Sequence, residues 1–447
     1  MVPYSYIRDG AARPARLGRD EYELISRCDG KTELETSPLL RELLAKGLIR
    51  QATEGEADGI RPARSYNNRC VPNLSLTMTT YCNFNCRHCY LAADNDVVRQ
   101  EMSLEDCKRI IDDAADCGVL HFKLTGGEPM MHRGFMDVVE YIYEKGMAVS
   151  HINTNGYYFT PYTLDRLRAI DRSIHFNVSF DGVGFHDWMR GREGAEKDAL
   201  DKMRLCMEYG FYVRPAMTLN RVNLPALHDT IDTLEDMGFE EFRVIRTSET
   251  PRWAIHAGDA TLPFEEHYDA LVEASRYYAS KERKMRLNMW HFAILDPRSR
   301  TWVNMPVACA SADYSPTLPS CVNARENITV LPDGSVYPCV PGSGVYEGNG
   351  ITFENALETG LKPILQDSRL LSVSCAGTRQ IAEHDPKCGS CRYFKQCLGG
   401  CRIFALGLNH DLMTHDPSKC VYFEKRYDLK LKDALTGWRC MNGIDCG

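Results

Sequence analysis

Three cysteines in one short segment, Cys82-x3-Cys86-x2-Cys89, offer three thiolates to a single metal centre. Iron–sulfur clusters of the cubane type normally take four cysteines. Three from one compact loop leave one iron without a protein ligand, and a small molecule can coordinate it. The competing reading is a zinc site that recruits His88 as fourth ligand. Zinc motifs usually come as two separated pairs, a pattern this loop lacks.

A second constellation lies near the other end of the chain. Cys388-x2-Cys391-x5-Cys397-x3-Cys401 is followed by Cys420 and preceded by Cys321, Cys339 and, further upstream, Cys309. Cys388-x2-Cys391 alone would also permit structural zinc. Cys28, Cys70, Cys107, Cys117 and Cys206 are scattered and read as free thiols packed as small hydrophobes. Cys440 and Cys446 lie beyond the pattern and read either as tail thiols or as extra ligands.

The elements that must position these groups fall into three regions. Residues 1–68 form a small unit: Tyr4-Ser-Tyr-Ile reads as a short strand, two segments have helical spacing, Gly47 ends the second, and 51–68 is a polar linker. Residues 70–300 alternate strands and helices. Strands are expected at 74–79, 119–124, 148–153, 174–180, 211–217 and 242–246, and Ser103 is placed to cap the first intervening helix. Repeated βα units imply a parallel sheet with helices outside. About six units are fewer than a closed barrel's eight, so the expected fold is α/β, a partial (β/α)6 TIM-like barrel. Cys82–Cys89 follows the first strand and Thr125-Gly-Gly-Glu-Pro the second, so both loops belong at the C-terminal ends of the strands, where sites of such folds gather. Residues 305–447 are loop-rich and dense in cysteine. Asn327 to Cys339 reads as a hairpin with Asp333-Gly334 in its turn.

Bulk properties narrow the partners. The 447 residues are 44% hydrophobic and 26% charged, which suits a globular protein of two or three domains. The net charge is −8 and no basic run reads as a phosphate footprint, so nucleic acid is not an expected partner. No apolar stretch is long enough for a bilayer, and the N-terminus lacks a signal peptide's pattern, so neither membrane nor export is expected and the cytosol is the default. Nineteen cysteines in a reducing compartment point to metal rather than disulfides.

The CxxxCxxC loop and the segments that follow it resemble the radical S-adenosylmethionine (SAM) superfamily over about 70–250. Thr125-Gly126-Gly127-Glu128-Pro129 looks like that family's GGEP motif. Asn153-Thr154-Asn155-Gly156 and Ser179-Phe180-Asp181-Gly182 look like segments lining the SAM pocket. The resemblance implies a 4Fe–4S cluster on Cys82, Cys86 and Cys89. It implies that the Thr125–Glu128 backbone and the Glu128 carboxylate accept from the SAM ammonium, with the glycines letting the backbone approach the ligand. Asn155 and Ser179 would line the pocket, Arg190 would pair with the SAM carboxylate (a surface salt bridge being the alternative), and His88 would lie near the adenine. The chemistry implied is one-electron cleavage of SAM to a 5′-deoxyadenosyl radical that abstracts hydrogen. No other catalytic side chain is identified.

The C-terminal cysteines resemble the SPASM extension of radical SAM enzymes that modify peptides. That resemblance implies two auxiliary 4Fe–4S clusters, three in all. Cys388, Cys391, Cys397 and Cys420 would hold one, and Cys321, Cys339 and Cys401 the other, with Cys309, Cys375 or substrate as its fourth ligand. The first 50 or so residues resemble winged-helix peptide-recognition domains, the alternative being a cap with no binding role. The implied function is maturation of a ribosomally made precursor peptide through a thioether, C–C or C–O cross-link, with a flavodoxin- or ferredoxin-type electron donor. An anaerobic sulfatase maturase is a second reading. That family typically has aspartate after the hairpin cysteine, whereas Cys339 is followed by Val340. A non-catalytic iron–sulfur electron carrier is a third.

Overall fold

The computed structural model describes residues 5–6, 15–28, 32–51, 66–69, 71–91, 100–248, 250–321 and 326–444. Cys70, Cys446 and most of the expected 51–68 linker lie outside them. Strands β1 (Ser5–Tyr6) and β2 (Ala15–Arg16) pair antiparallel. Helices Arg19–Ile25 and Pro38–Ala45 follow, and Leu17, Ile25 and Leu43 make a small core of their own. Ser37 Oγ caps the second helix by accepting from Leu40 N at 3.0 Å, and Gly47 just past its end has φ +65°.

Six parallel strands follow, each within about two residues of its expected place: β3 (Asn73–Thr77), β4 (His121–Thr125), β5 (Ala148–Thr154), β6 (His175–Ser179), β7 (Tyr212–Leu219) and β8 (Glu241–Arg246). Helices between them cover one face of the sheet. Ser103 caps helix Leu104–Asp116 by accepting from Asp106 N at 3.0 Å. That helix buries Cys107, Ile110, Ile111 and Ala114, and Cys117 and Cys206 join the same core.

The period of two explains the sheet. Leu74, Leu76, Phe122, Leu124, Phe176, Val178, Met217 and Phe242 are fully buried under the helices. Burying each such side chain is worth about 1.5–3 kcal/mol. The alternate residues are polar: Lys123, His151, Asn153, Asn177, Ser179, Arg214 and Arg243 are half-buried on the opposite face.

The sheet continues past the sixth unit. β9 (Arg286–Met289) is parallel to β8, and β10 (Ala293–Asp296) and β11 (Thr301–Asn304) extend it antiparallel. The change of character at 305 is not a break in the sheet. β12 (Asn327–Val330) pairs parallel with β3, from Asn327↔Asn73 to Val330↔Leu76, and antiparallel with β13 (Val336–Tyr337). All four β12 residues are buried, with Ser75 Oγ bonded to Asn327 Oδ1 at 3.0 Å. β14 (Arg439–Cys440) adds to β11, so twelve strands run β13-β12-β3-β4-β5-β6-β7-β8-β9-β10-β11-β14. The expected hairpin is β12–β13, and Gly334 in its turn has φ +87°. Among the described residues, no helix is long and apolar enough to cross a membrane.

Candidate active site

The loop carrying Cys82, Cys86 and Cys89 leaves the C-terminal end of β3 and is pinned from four sides. The loop after β4 lies directly on it: Gly127 N donates to Thr79 O and Glu128 N to Tyr81 O, both at 2.8 Å. A Cβ at Gly126 would sit 2.5 Å from Thr79 O, and one at Gly127 2.4 Å from Tyr81 O. These two glycines therefore serve the approach of one loop to the other, a use the motif alone did not reveal. After β5, Asn155 Nδ2 donates to Asn83 Oδ1 at 2.7 Å and lies 3.9 Å from Cys82 Sγ.

After β6, helix His186–Arg190 takes up Arg87, whose N and Nε donate to Met189 O and Trp188 O at 3.0 and 2.9 Å. Gly191, at φ +65°, has room for no Cβ, which would lie 2.6 Å from Asn85 O. After β8, the buried Arg252 donates from Nε to Cys86 O at 2.9 Å and from Nη2 to Asn85 Oδ1.

The three thiols form one electrostatic group. Burial pushes Cys82 up to about 12, with Cys86 and Cys89 adding to the shift, and burial also raises Cys86. Three cysteines of one loop close enough to act on one another would repel as thiolates, and iron between them would offset that repulsion. The donor set therefore fits an iron–sulfur cluster. Burial, then Arg190, holds the His88 imidazole well below its usual range, so it stays neutral, and its Nδ1 is buried with no partner among the described residues.

The motif side chains are placed as follows. Glu128 is fully buried, and its carboxylate accepts from Thr154 Oγ1 at 2.9 Å to each oxygen, from Asn155 N at 2.9 Å and from Met130 N at 3.2 Å. These bonds tie the β4 loop to the β5 loop, and burial raises the carboxyl to about 7. In the same loop Thr125 O accepts from Met78 N at 3.2 Å. Thr125 is buried and Ser179 half-buried at their strand ends.

Arg190 lies in the interior rather than in a surface salt bridge. Its Nε is 2.6 Å from the fully buried Asp181 Oδ2, and its Nη1 donates to Cys86 Sγ at 3.5 Å. Asp181 also accepts from Thr218 N at 2.9 Å. Sequence reasoning missed Asn83 and Arg252 as parts of the site, and it placed Thr154 and Asp181 in pocket segments without giving either a role. Asp181 was visible inside the Ser179–Gly182 segment, but nothing local marks Arg252.

The C-terminal cysteines gather into two sets. Burial raises Cys339 and Cys401 (the latter to about 11), and each lies within electrostatic reach of Cys321. Cys401 N donates to Asp416 Oδ2 at 2.8 Å. Cys388 and Cys420, both raised to about 12 by burial, group with Cys397, which in turn feels Cys391. Cys309 Sγ donates to Lys395 O at 2.9 Å, while Cys375 Sγ is engaged by Arg69 Nη1. Cys440 lies on β14, with Asp428 and Lys432 as its charged neighbours.

The Radical SAM superfamily model matches residues 76–238, and the SPASM model, an iron-sulfur cluster-binding domain, matches 321–397. The AdoMet-dependent heme synthase of Methanosarcina barkeri is 25% identical over 78% of this chain and 96% of its own length. The antilisterial bacteriocin subtilosin biosynthesis protein AlbA of Bacillus subtilis is 27% identical over 54% of this chain and 59% of its own. The fold is shared with Streptococcus suis SuiB, at 17% identity and a TM-score of 0.66 over 93% of this chain and 95% of that one. SuiB has also been solved bound to precursor peptide SuiA, at 16% identity and a TM-score of 0.63 over 85% of this chain and 86% of that one.

Proposed function

From the premise that this chain is a radical SAM enzyme with a SPASM iron–sulfur extension, we propose that it matures a ribosomally made precursor peptide by installing a cross-link. The observation that carries the reading is the gathering of seven C-terminal cysteines into two sets, in a region whose β12 pairs with the strand leading to Cys82. Cys82, Cys86 and Cys89 hold the SAM-binding cluster. Cys388, Cys391, Cys397 and Cys420 hold one auxiliary cluster, and Cys321, Cys339 and Cys401 the other. Cys309 completes that last set, with Cys375 or substrate as the alternatives; both sulfurs already make a contact, Cys309 with Lys395 O and Cys375 with Arg69. When bound, SAM and its cluster supply a 5′-deoxyadenosyl radical that removes hydrogen from an unactivated carbon.

The chain's own residues prepare the place. Asn155, Arg87, Gly191 and Arg252 fix the cysteine loop, and the carbonyls of Thr125–Gly127 receive the SAM ammonium. Ser179 would meet the SAM ribose or carboxylate, Arg190 would pair with the carboxylate, and His88 would lie near the adenine. The unit built on Leu17, Ile25 and Leu43 binds the leader of the peptide. A flavodoxin- or ferredoxin-type protein delivers the electron. The names of AlbA and of SuiB with its precursor peptide support a peptide substrate.

The test is anaerobic incubation of the reconstituted enzyme with SAM, reductant and the peptides encoded beside its gene. A peptide lighter by two hydrogens is the expected product, and no mass change in any neighbouring peptide refutes the reading. One observation favours a second reading: the heme synthase match spans 96% of that relative. A tetrapyrrole altered by the same enzyme while all peptides stay unchanged would select it.

A further inference from the structure

The polar face of the sheet carries cations that none of the cysteine sites uses. Register places Lys123 on β4 beside His151 on β5, Asn177 on β6 beside Arg214 on β7, and Ala216 on β7 beside Arg243 on β8. Arg214 is satisfied, with Nη1 3.1 Å from Glu241 Oε1 and Nε on Asn177 Oδ1 at 2.9 Å. Glu241 is also bonded by Arg286 at 2.5 Å and by Asn288 at 2.8 Å, which uses up its carboxylate.

Lys123 and Arg243 have no such partner. Among the described residues neither side chain makes a hydrogen bond or a contact ion pair, and Arg243 Nε is buried without an acceptor; Glu326 and the already engaged Glu241 act on Lys123 and Arg243 only through longer-range attraction. The Arg243 guanidinium lies 4.4 Å from the centre of the Trp290 ring. Burial lowers both cations, Arg243 to about 10, and burial with Lys123, Arg214 and Arg243 nearby pushes His151 down to about 3, leaving it neutral. Arg243 also lies within electrostatic reach of His291, and His291 of Asp416, which holds the Cys401 amide. Two partly desolvated cations without a contact partner are a cost unless an anion joins them.

We propose that Lys123 and Arg243 bind a carboxylate of the substrate, with His151 as a neutral hydrogen-bonding neighbour. The inference rests on the reading of this face as the substrate chamber. The carboxylate has two sources, an acidic residue of a peptide or an acid side arm of a tetrapyrrole, and the chemistry that holds it is the same. Trp290, stacked on Arg243, reports occupancy by its fluorescence.

The test titrates the reconstituted full chain, under anaerobic conditions, with N-acetyl-glutamate N-methylamide, its glutamine counterpart and iron coproporphyrin III. Saturable binding of the glutamate probe or of the porphyrin, with none of the glutamine probe, is expected, and which of the two binds identifies the source. Lys123→Met and Arg243→Gln should each weaken that binding about tenfold to a hundredfold. Arg243→Lys, which keeps the charge, should restore part of it. SAM affinity and iron content should not change in any variant.

Equal binding of the glutamate and glutamine probes, or no binding of any probe, overturns the proposal. So does unchanged affinity in the variants. A parallel loss of SAM affinity also overturns it, by assigning the cations to SAM's own carboxylate. Failure of the unmodified enzyme to cleave SAM is a separate result, and it sinks the functional reading rather than this one.

Discussion

Gly127→Ala tests the packing of the two site loops in its sharpest form. The added Cβ would lie 2.4 Å from Tyr81 O, 2.6 Å from Thr80 O and 2.7 Å from Tyr81 C. All three are backbone atoms, so no side chain can rotate away, and either the hydrogen bond from Gly127 N to Thr79 O or the course of the chain into Cys82 must give. Overpacking of this kind costs about 1–3 kcal/mol, and here it falls on the residue next to the first cysteine. The expected result is a destabilised protein that fills its C-terminal iron sites but not the first one. Iron and sulfide analysis, with electron paramagnetic resonance of the reduced protein with and without SAM, reads this directly. Gly348→Ala, at a helix position with nothing within 4 Å of the new Cβ, is the control and should behave as the parent. A Gly127→Ala protein with full iron content, unchanged stability and a SAM-responsive signal would refute the reasoning.

Three further outcomes follow from contacts elsewhere in the site. Asp181→Ala leaves Arg190 buried without its anion, and breaking such a pair costs about 3–5 kcal/mol (denaturant unfolding measures it); a loss below 1 kcal/mol would mean that Cys86 and solvent suffice for Arg190. Cys375→Ser should keep the parent's iron content, whereas Cys339→Ser should lose one cluster's worth; equal losses would return Cys375 to the ligand set. Glu128 has its carboxyl raised from 4.5 to about 7 by burial, so the folded state holds a proton that the unfolded state releases between those values. Its contribution to stability therefore falls as pH rises through that window, and Glu128→Gln should flatten the slope seen in thermal unfolding between pH 4.5 and 7.

Local pattern was enough for much of this. The alternation of Leu74 and Leu76 with polar residues, the Ser103 cap and the Gly47 stop are encoded within a few residues of where they act, so the six strands and their helices were readable. The cysteine sets were readable because thiol spacing is itself chemical information. What escaped depends on long-range geometry. Arg252 meets Cys86 only because β8 and β3 end on the same side of one sheet. β12 joins β3 across some 250 residues of chain. The Glu128 motif was visible as a loop, but its carboxylate's bonds to Thr154 and Asn155 depend on two loops folding against each other. Positions such as Lys123 and Arg243 look like ordinary strand alternation until register places them on one face without a direct side-chain partner.

The pairing of β12 with β3 also decides how this chain can be taken apart. Cutting before residue 326 would leave β3 as an outer strand, with a row of backbone donors and acceptors open to any other chain. The same cut would remove the backbone acceptors that Leu357 offers Arg109 and Leu365 offers the Arg69 amide. A minimal fragment keeping only the first cysteine loop and its six strands is therefore an aggregation hazard. Dissection of the separate clusters is better done by single cysteine replacement in the intact polypeptide than by truncation.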